Sequence, residues 1–224
     1  PSFINSSDSM ALSSIQMMHL ADSALPVGGF AFSGGLEAAV KCGMVRTRPE
    51  LISYLKSAMQ QWGRFELPFI GSFYRDPGKE VFLRYDRMML TTTMRKASIA
   101  QARGWFRVLA DLFPALGNYD FRRIFKDAGS EVHYLPLLTL CLKKAGASEA
   151  QVKELCLFTL LRDQISAAVR LGLIGPSAAQ AIQSELELDI EAVLTASEHS
   201  GMNEARRFTP MMEMAQMLHP SLYT

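Results

Sequence analysis

The chain has 224 residues, 49% of them hydrophobic and 20% charged, and its 23 basic and 22 acidic side chains leave a formal net charge of +1. This balance excludes a disordered or fibrous chain and gives no electrostatic preference for nucleic acid backbones. The apolar runs, such as Tyr134 to Leu142, fall far short of the roughly 20 residues that span a bilayer, so neither a membrane nor a nucleic acid is an expected partner.

Apolar residues recur at helical spacing almost throughout, and period-2 alternation is scarce, so the chain reads as all-α, a single-domain bundle of eight to ten helices over residues 1–224 with residues 1–10 flexible. The start carries neither a basic nor an apolar leader region and lacks an initiator methionine, which reads as a trimmed chain that is not exported. A first helix spans Ala11 to Ala24, stopped by Pro26 and the glycines that follow. A short helix from Ser33 to Gly43 comes next. Thr47 and Glu50 then form a capping box, with Pro49 at the second helical position, for a long helix to Tyr74.

Pro77 and Gly78 make a turn, and a helical pair follows from Glu80 to Leu116 with Gly117-Asn118 as its stop signal. Asp120 caps a short helix ending near Gly129. Ser130 to Gly146 is apolar nearly all round, marking a helix in the middle of the bundle with Lys143 and Lys144 at its negative end. Ser148 and Gln151 form a second capping box for a helix to Leu171, ended by Gly172 and Gly175. Pro176 opens the next helix, and a methionine-rich helix from Asn203 to Leu218 closes the chain.

Catalytic constellations are hard to find. Cys42, Cys141 and Cys156 are odd in number, far apart and in apolar helical context, which fits buried, reduced thiols and a cytoplasmic location. His19, His133, His199 and His219 form no spaced ligand pair, so no metal is assigned. Glu185, Glu187, Asp189 and Glu191 read as the solvated face of one helix, and Arg103, Arg107, Arg122 and Arg123 as exposed helix faces.

The stretch "LADSALPVGGFAFSGGLEAA" packs four glycines, but it follows a helix, lacks the lysine of a phosphate loop and lacks the dinucleotide spacing. It reads as a helix-loop-helix corner: Pro26 stops one helix, Gly28 and Gly29 turn the chain, and Ser33 caps the next. Phe30 and Phe32 stand there as aromatic anchors for a partner.

This stretch resembles the signature of the urease accessory protein F family (UreF), a gapped pattern met here by Leu20, Pro26, Gly28, Gly29, Phe30, Ser33, Gly35, Leu36 and Glu37. "RKASIAQ" with Arg95, "HYLPLLTLCL" with His133, and "LRDQISAAVRLGLIGPSAAQ" with Gln164, Arg170 and Gly175 agree in order, so the resemblance covers nearly the whole chain. Family members commonly end in a longer tail, of which His219, Leu222, Tyr223 and Thr224 match the beginning.

The resemblance implies an all-α, non-enzymatic urease maturation factor without a cofactor of its own. It implies binding to accessory protein D (called H in some bacteria), often as a homodimer, recruitment of the GTPase accessory protein G, and delivery of nickel to apo-urease, with tuning of the GTPase as a further role. The apolar content of Phe30, Phe32, Met211, Met214, Met217, His219, Leu222 and Tyr223 makes them the expected partner surface. Two alternatives stand beside it: an enzyme using His133 and Glu37 in an interior pocket, and a GTPase-activating protein with Arg95 or Arg170 as its finger.

Overall fold

The computed structural model describes residues 11–25 and 35–207, and every regular element among them is helical. In chain order these are α1 (Ser14–Leu20), α2 (Leu36–Lys41), α3 (Arg48–Arg64), α4 (Glu66–Arg75), α5 (Lys79–Arg87), α6 (Thr92–Leu112), a 3-10 turn (Pro114–Asn118), α7 (Phe121–Ala128), α8 (Tyr134–Ala145), α9 (Glu149–Arg170), α10 (Pro176–Glu185) and α11 (Glu187–Ala196).

The central elements are α8 and α9. From Leu135 to Leu142 every residue of α8 is buried, as its all-round apolar sequence requires. α9 buries most of its circumference and packs against α1, α2, α3, α4, α8, α10 and α11. Its amino end is fixed by the expected capping box, with the Ser148 hydroxyl accepting from the Gln151 amide and the Gln151 side chain accepting from the Ser148 amide. Thr47 and Glu50 do the same for α3, and Asp120 caps α7.

An aromatic block lies where α4 meets α5. Phe65, Phe69 and Phe73 run along one face at helical spacing, and Tyr85 packs on all three with centroids 5.6, 5.1 and 5.8 Å away. Phe82 bridges Phe73 to Phe125 of α7 at 5.0 Å each. Each fully buried ring of this kind contributes about 1.5–3 kcal/mol of apolar burial.

Several sequence expectations are corrected. The long helix to Tyr74 is broken at Phe65, whose φ and ψ are −123° and −63°. The cause is Pro68: it has no N–H to give the Arg64 carbonyl four residues back, and its ring crowds that carbonyl. The freed carbonyl instead accepts the Arg206 N–H at 2.7 Å.

The first helix is shorter than Ala11 to Ala24 because Ser13 and Gln16 form a capping box inside that span. α2 begins at Leu36 rather than Ser33, with Gly35 in the cap position at φ 99°, a conformation that costs glycine least. α8 starts at Tyr134, four residues later than expected by sequence number, because His133 takes the cap position with extended backbone.

Gly175 caps α10 instead of ending α9. Leu186 separates α10 from α11, so the four carboxylates occupy two helices; Glu185 pairs with Arg48 at 3.3 Å and Asp189 with Lys56 at 3.1 Å. Residues 203–207 form turn and irregular chain rather than helix, and the rest of the expected methionine-rich helix lies outside the described residues. Cys141 and Cys156 are buried as expected, but Cys42 is exposed.

Candidate functional site

A polar lock sits at the centre of the α5, α6 and α8 packing. His133 is fully buried, and both ring nitrogens are engaged. Asp86 can only accept, so Nε2 carries the proton and donates to Asp86 Oδ1 at 2.9 Å; Nδ1 accepts from the Ser98 hydroxyl at 3.2 Å. Ser98 Oγ also accepts the Tyr134 N–H at 3.1 Å, satisfying a free amide at the start of α8. On the other side Arg95 donates to Asp86 Oδ1 and, at 2.8 Å, to the Asp86 carbonyl. The "RKAS" motif therefore serves one purpose: its first residue holds Asp86, one partner of His133, and its last, Ser98, is the other.

Burial, aided by the Arg95 charge, lowers the His133 pKa more than the neighbouring Asp86 raises it, so the imidazole is neutral near pH 7. Burial by itself would raise the Asp86 carboxyl, yet the hydrogen bonds from His133 and Arg95 and the Arg95 charge outweigh it and leave the group below its ordinary range.

A second construction holds the chain after α11. Lys153, only 4% exposed, donates to the Ser197 carbonyl at 2.8 Å and the Glu198 carbonyl at 3.1 Å while pairing with Glu149 at 2.8 Å. Arg75 grips both Glu149 oxygens, at 2.9 and 3.2 Å, and donates to the Ser200 carbonyl at 2.7 Å. Gly71 lets this strap come close: a Cβ there would lie 2.7 Å from the Ser200 oxygen. The Met202 N–H reaches Ser72 Oγ at 2.8 Å, and Gln61 donates to the Arg206 carbonyl at 3.1 Å. At the end of the strap the Arg207 guanidinium lies 3.7 Å above the Phe65 ring and its Nε donates to the Met88 carbonyl at 2.8 Å.

Of the motif residues, Arg95 and His133 come together through Asp86. Leu36 and Gln164 are buried, Glu37 is half-buried, and Arg170 and Gly175 are exposed at opposite ends of the α9 to α10 turn. Pro26, Gly28, Gly29, Phe30, Phe32 and Ser33 lie outside the described residues, as do Met211, Met214, Met217, His219, Leu222 and Tyr223. Asp86 and Ser98 were missed by sequence reasoning; Ser98 stands inside a quoted motif, whereas Asp86 lies 47 residues from His133 and carries no local signal.

Among the described residues no group of three or more His, Cys, Asp or Glu side chains is placed to hold a metal ion, and no helix is long and apolar enough to cross a membrane. Fold and site together define an all-helical protein in which the motif side chains Arg95 and His133 are spent on internal positioning. The UreF family model matches residues 45–187. Urease accessory protein F of Oryza sativa subsp. indica is 33% identical over 213 residues, covering 92% of this chain and 81% of that protein. The Arabidopsis thaliana protein of the same name is 30% identical, covering 92% and 88%, and urease accessory protein UreF of Azoarcus sp. (strain BH72) is 28% identical, covering 94% and 93%. The chain belongs to the UreF family of urease accessory proteins.

Proposed function

We propose that this chain acts in urease maturation as a non-catalytic adaptor: it binds accessory protein D (H), recruits the GTPase accessory protein G, and so supports nickel insertion into apo-urease. The observation that carries this reading is family membership extending over most of the chain. The polar lock supports it, because Arg95 and His133 are engaged within the fold and serve shape, which is what a docking scaffold requires.

The expected docking elements are the glycine stretch with Phe30 and Phe32 and the segment from Met211 to Tyr223, acting as a homodimer. The strap supports the second of these, since it fixes the base from which that segment departs. An enzyme built on His133 and Glu37 finds no support in the geometry: the imidazole is buried and neutral, and both its nitrogens are occupied by Ser98 and Asp86. An arginine finger at Arg95 would first have to leave Asp86, while Arg170 is exposed in the last turn of α9.

The test is reconstitution from purified proteins. Accessory protein G should join protein D on a sizing column only when this chain is present, and apo-urease should gain activity with nickel and bicarbonate only in that mixture. Equal recruitment of G without the chain would overturn the adaptor reading. GTP hydrolysis by G, measured with and without the chain and with Arg170→Ala, separates a scaffold from a GTPase activator.

A further inference from the structure

A groove of about 340 Å³ opens between α6, α7 and the residues leading into α8. Its floor is apolar, with Ile99 and Phe106 from α6 and Leu137 from α8. Its rim is charged, with Arg103, Arg122 and Glu131. The volume lies at the small end of the range for ligand sites, enough for one or two large side chains.

The two rim arginines differ from their neighbours on the same helices. Arg95 on α6 is committed to Asp86, and Arg123 on α7 pairs with Asp127 at 3.6 Å. No ion pair among the described residues engages Arg103 or Arg122. Arg107, one turn beyond Arg103 on α6, and Lys126 on α7 are exposed cations on the same two helices, and among the described residues Glu131 is the one carboxylate lining the groove. The groove is also pre-shaped, because the polar lock ties α6 to the start of α8 through Ser98 and His133.

We infer that this groove docks an acidic segment of a protein partner, with one large apolar side chain seated on the Ile99, Phe106 and Leu137 floor and flanking carboxylates paired with Arg103 and Arg122. Charge complementarity selects the occupant: guanidinium forks favour carboxylates in two-point contact, and the apolar floor demands a side chain between them. A nucleic acid strand fits less well, since the apolar floor offers nothing to a sugar-phosphate backbone. This inference does not depend on the maturation reading.

The experiment uses the full chain and a defined probe: a short fluorescein-labelled peptide in which glutamates flank a single phenylalanine, followed by anisotropy at low salt. Saturable binding is expected. It should weaken by roughly tenfold or more in Arg103→Glu and in Arg122→Glu, as loss of a charge-assisted pair implies. It should persist in Lys41→Glu, which makes the same charge reversal at an exposed position of α2. Peptides with serine for the phenylalanine or lysines for the glutamates should fail to bind. Because both arginines are exposed, helicity should be unchanged in these variants. Absence of saturable binding, an equal loss in Lys41→Glu, or tighter binding of an oligothymidine that the same arginine substitutions abolish would each overturn the proposal.

Discussion

The polar lock and the strap are both built from polar side chains that join separate elements, but they do different jobs. In the lock a carboxylate, an imidazole and a hydroxyl satisfy one another among buried apolar residues, so each is needed by the next. In the strap, by contrast, long cationic side chains reach backbone carbonyls at the periphery, and several contacts act in parallel on one segment. Breaking the lock should weaken the whole fold, whereas breaking the strap should free one piece of chain.

The largest effect expected is on the ground both regions share. Phe69→Ala removes the ring that Phe65, Phe73 and Tyr85 surround and should cost about 3–5 kcal/mol in urea denaturation. A loss near zero would mean that the aromatic block is not the foundation of the α4 to α5 packing.

Asp86→Ala should cost about 1–3 kcal/mol, because it leaves the buried His133 N–H without its acceptor. Acid sharpens the point. The His133 pKa is depressed below its ordinary 6.5, so the unfolded chain binds the proton more readily and stability, complete above that pH, falls as pH drops below it. The Asp86 carboxyl is depressed below its ordinary 3.8, so its contribution is complete above 3.8 and lost as the solution becomes more acid. The urea midpoint should therefore hold steady just above pH 6.5 and decline below it, and His133→Gln should flatten the upper part of that decline. Parallel slopes in the two proteins would remove His133 as its source.

Lys153→Met should cost about 1–2 kcal/mol by removing the ammonium that donates to both the Ser197 and Glu198 carbonyls. Its clearer signature is hydrogen exchange, which should quicken in residues 197–207 and stay unchanged in α8. Gly71→Ala tests the strap more finely. Alanine gains about 1 kcal/mol of helix propensity within α4 but meets the Ser200 carbonyl, so overall stability should change little while exchange at the strap rises. Uniform exchange changes in either variant would erase the distinction between the two regions.

Much of this architecture was legible in the sequence where the signal is local. The capping boxes at Thr47 and Ser148 act over three residues, and the all-round apolar run of α8 states its own burial. The break at Phe65 was also written there, in Pro68, but a proline within the first turn of a helix and one that breaks a helix look alike in sequence. The family motifs pointed to Arg95 and His133 without revealing that they meet. Asp86, which joins them, sits on a different helix from either, and no periodicity marks a residue whose importance comes from tertiary contact. The same holds for Lys153, which looks like the exposed side of a helix until the carbonyls after α11 are brought over it.

The backbone bond between Arg206 and Arg64 has a consequence for how the protein is made. The Pro68 break leaves the Arg64 carbonyl open, and its partner is among the last of the described residues to leave the ribosome. Until then α3 and α4 can pack, but their junction has no clasp. The nascent chain thus carries a built-in order of assembly: helices first, closure of the hinge last. A chain released before residue 206 would keep its bundle and lack the stitch across the α3 to α4 junction.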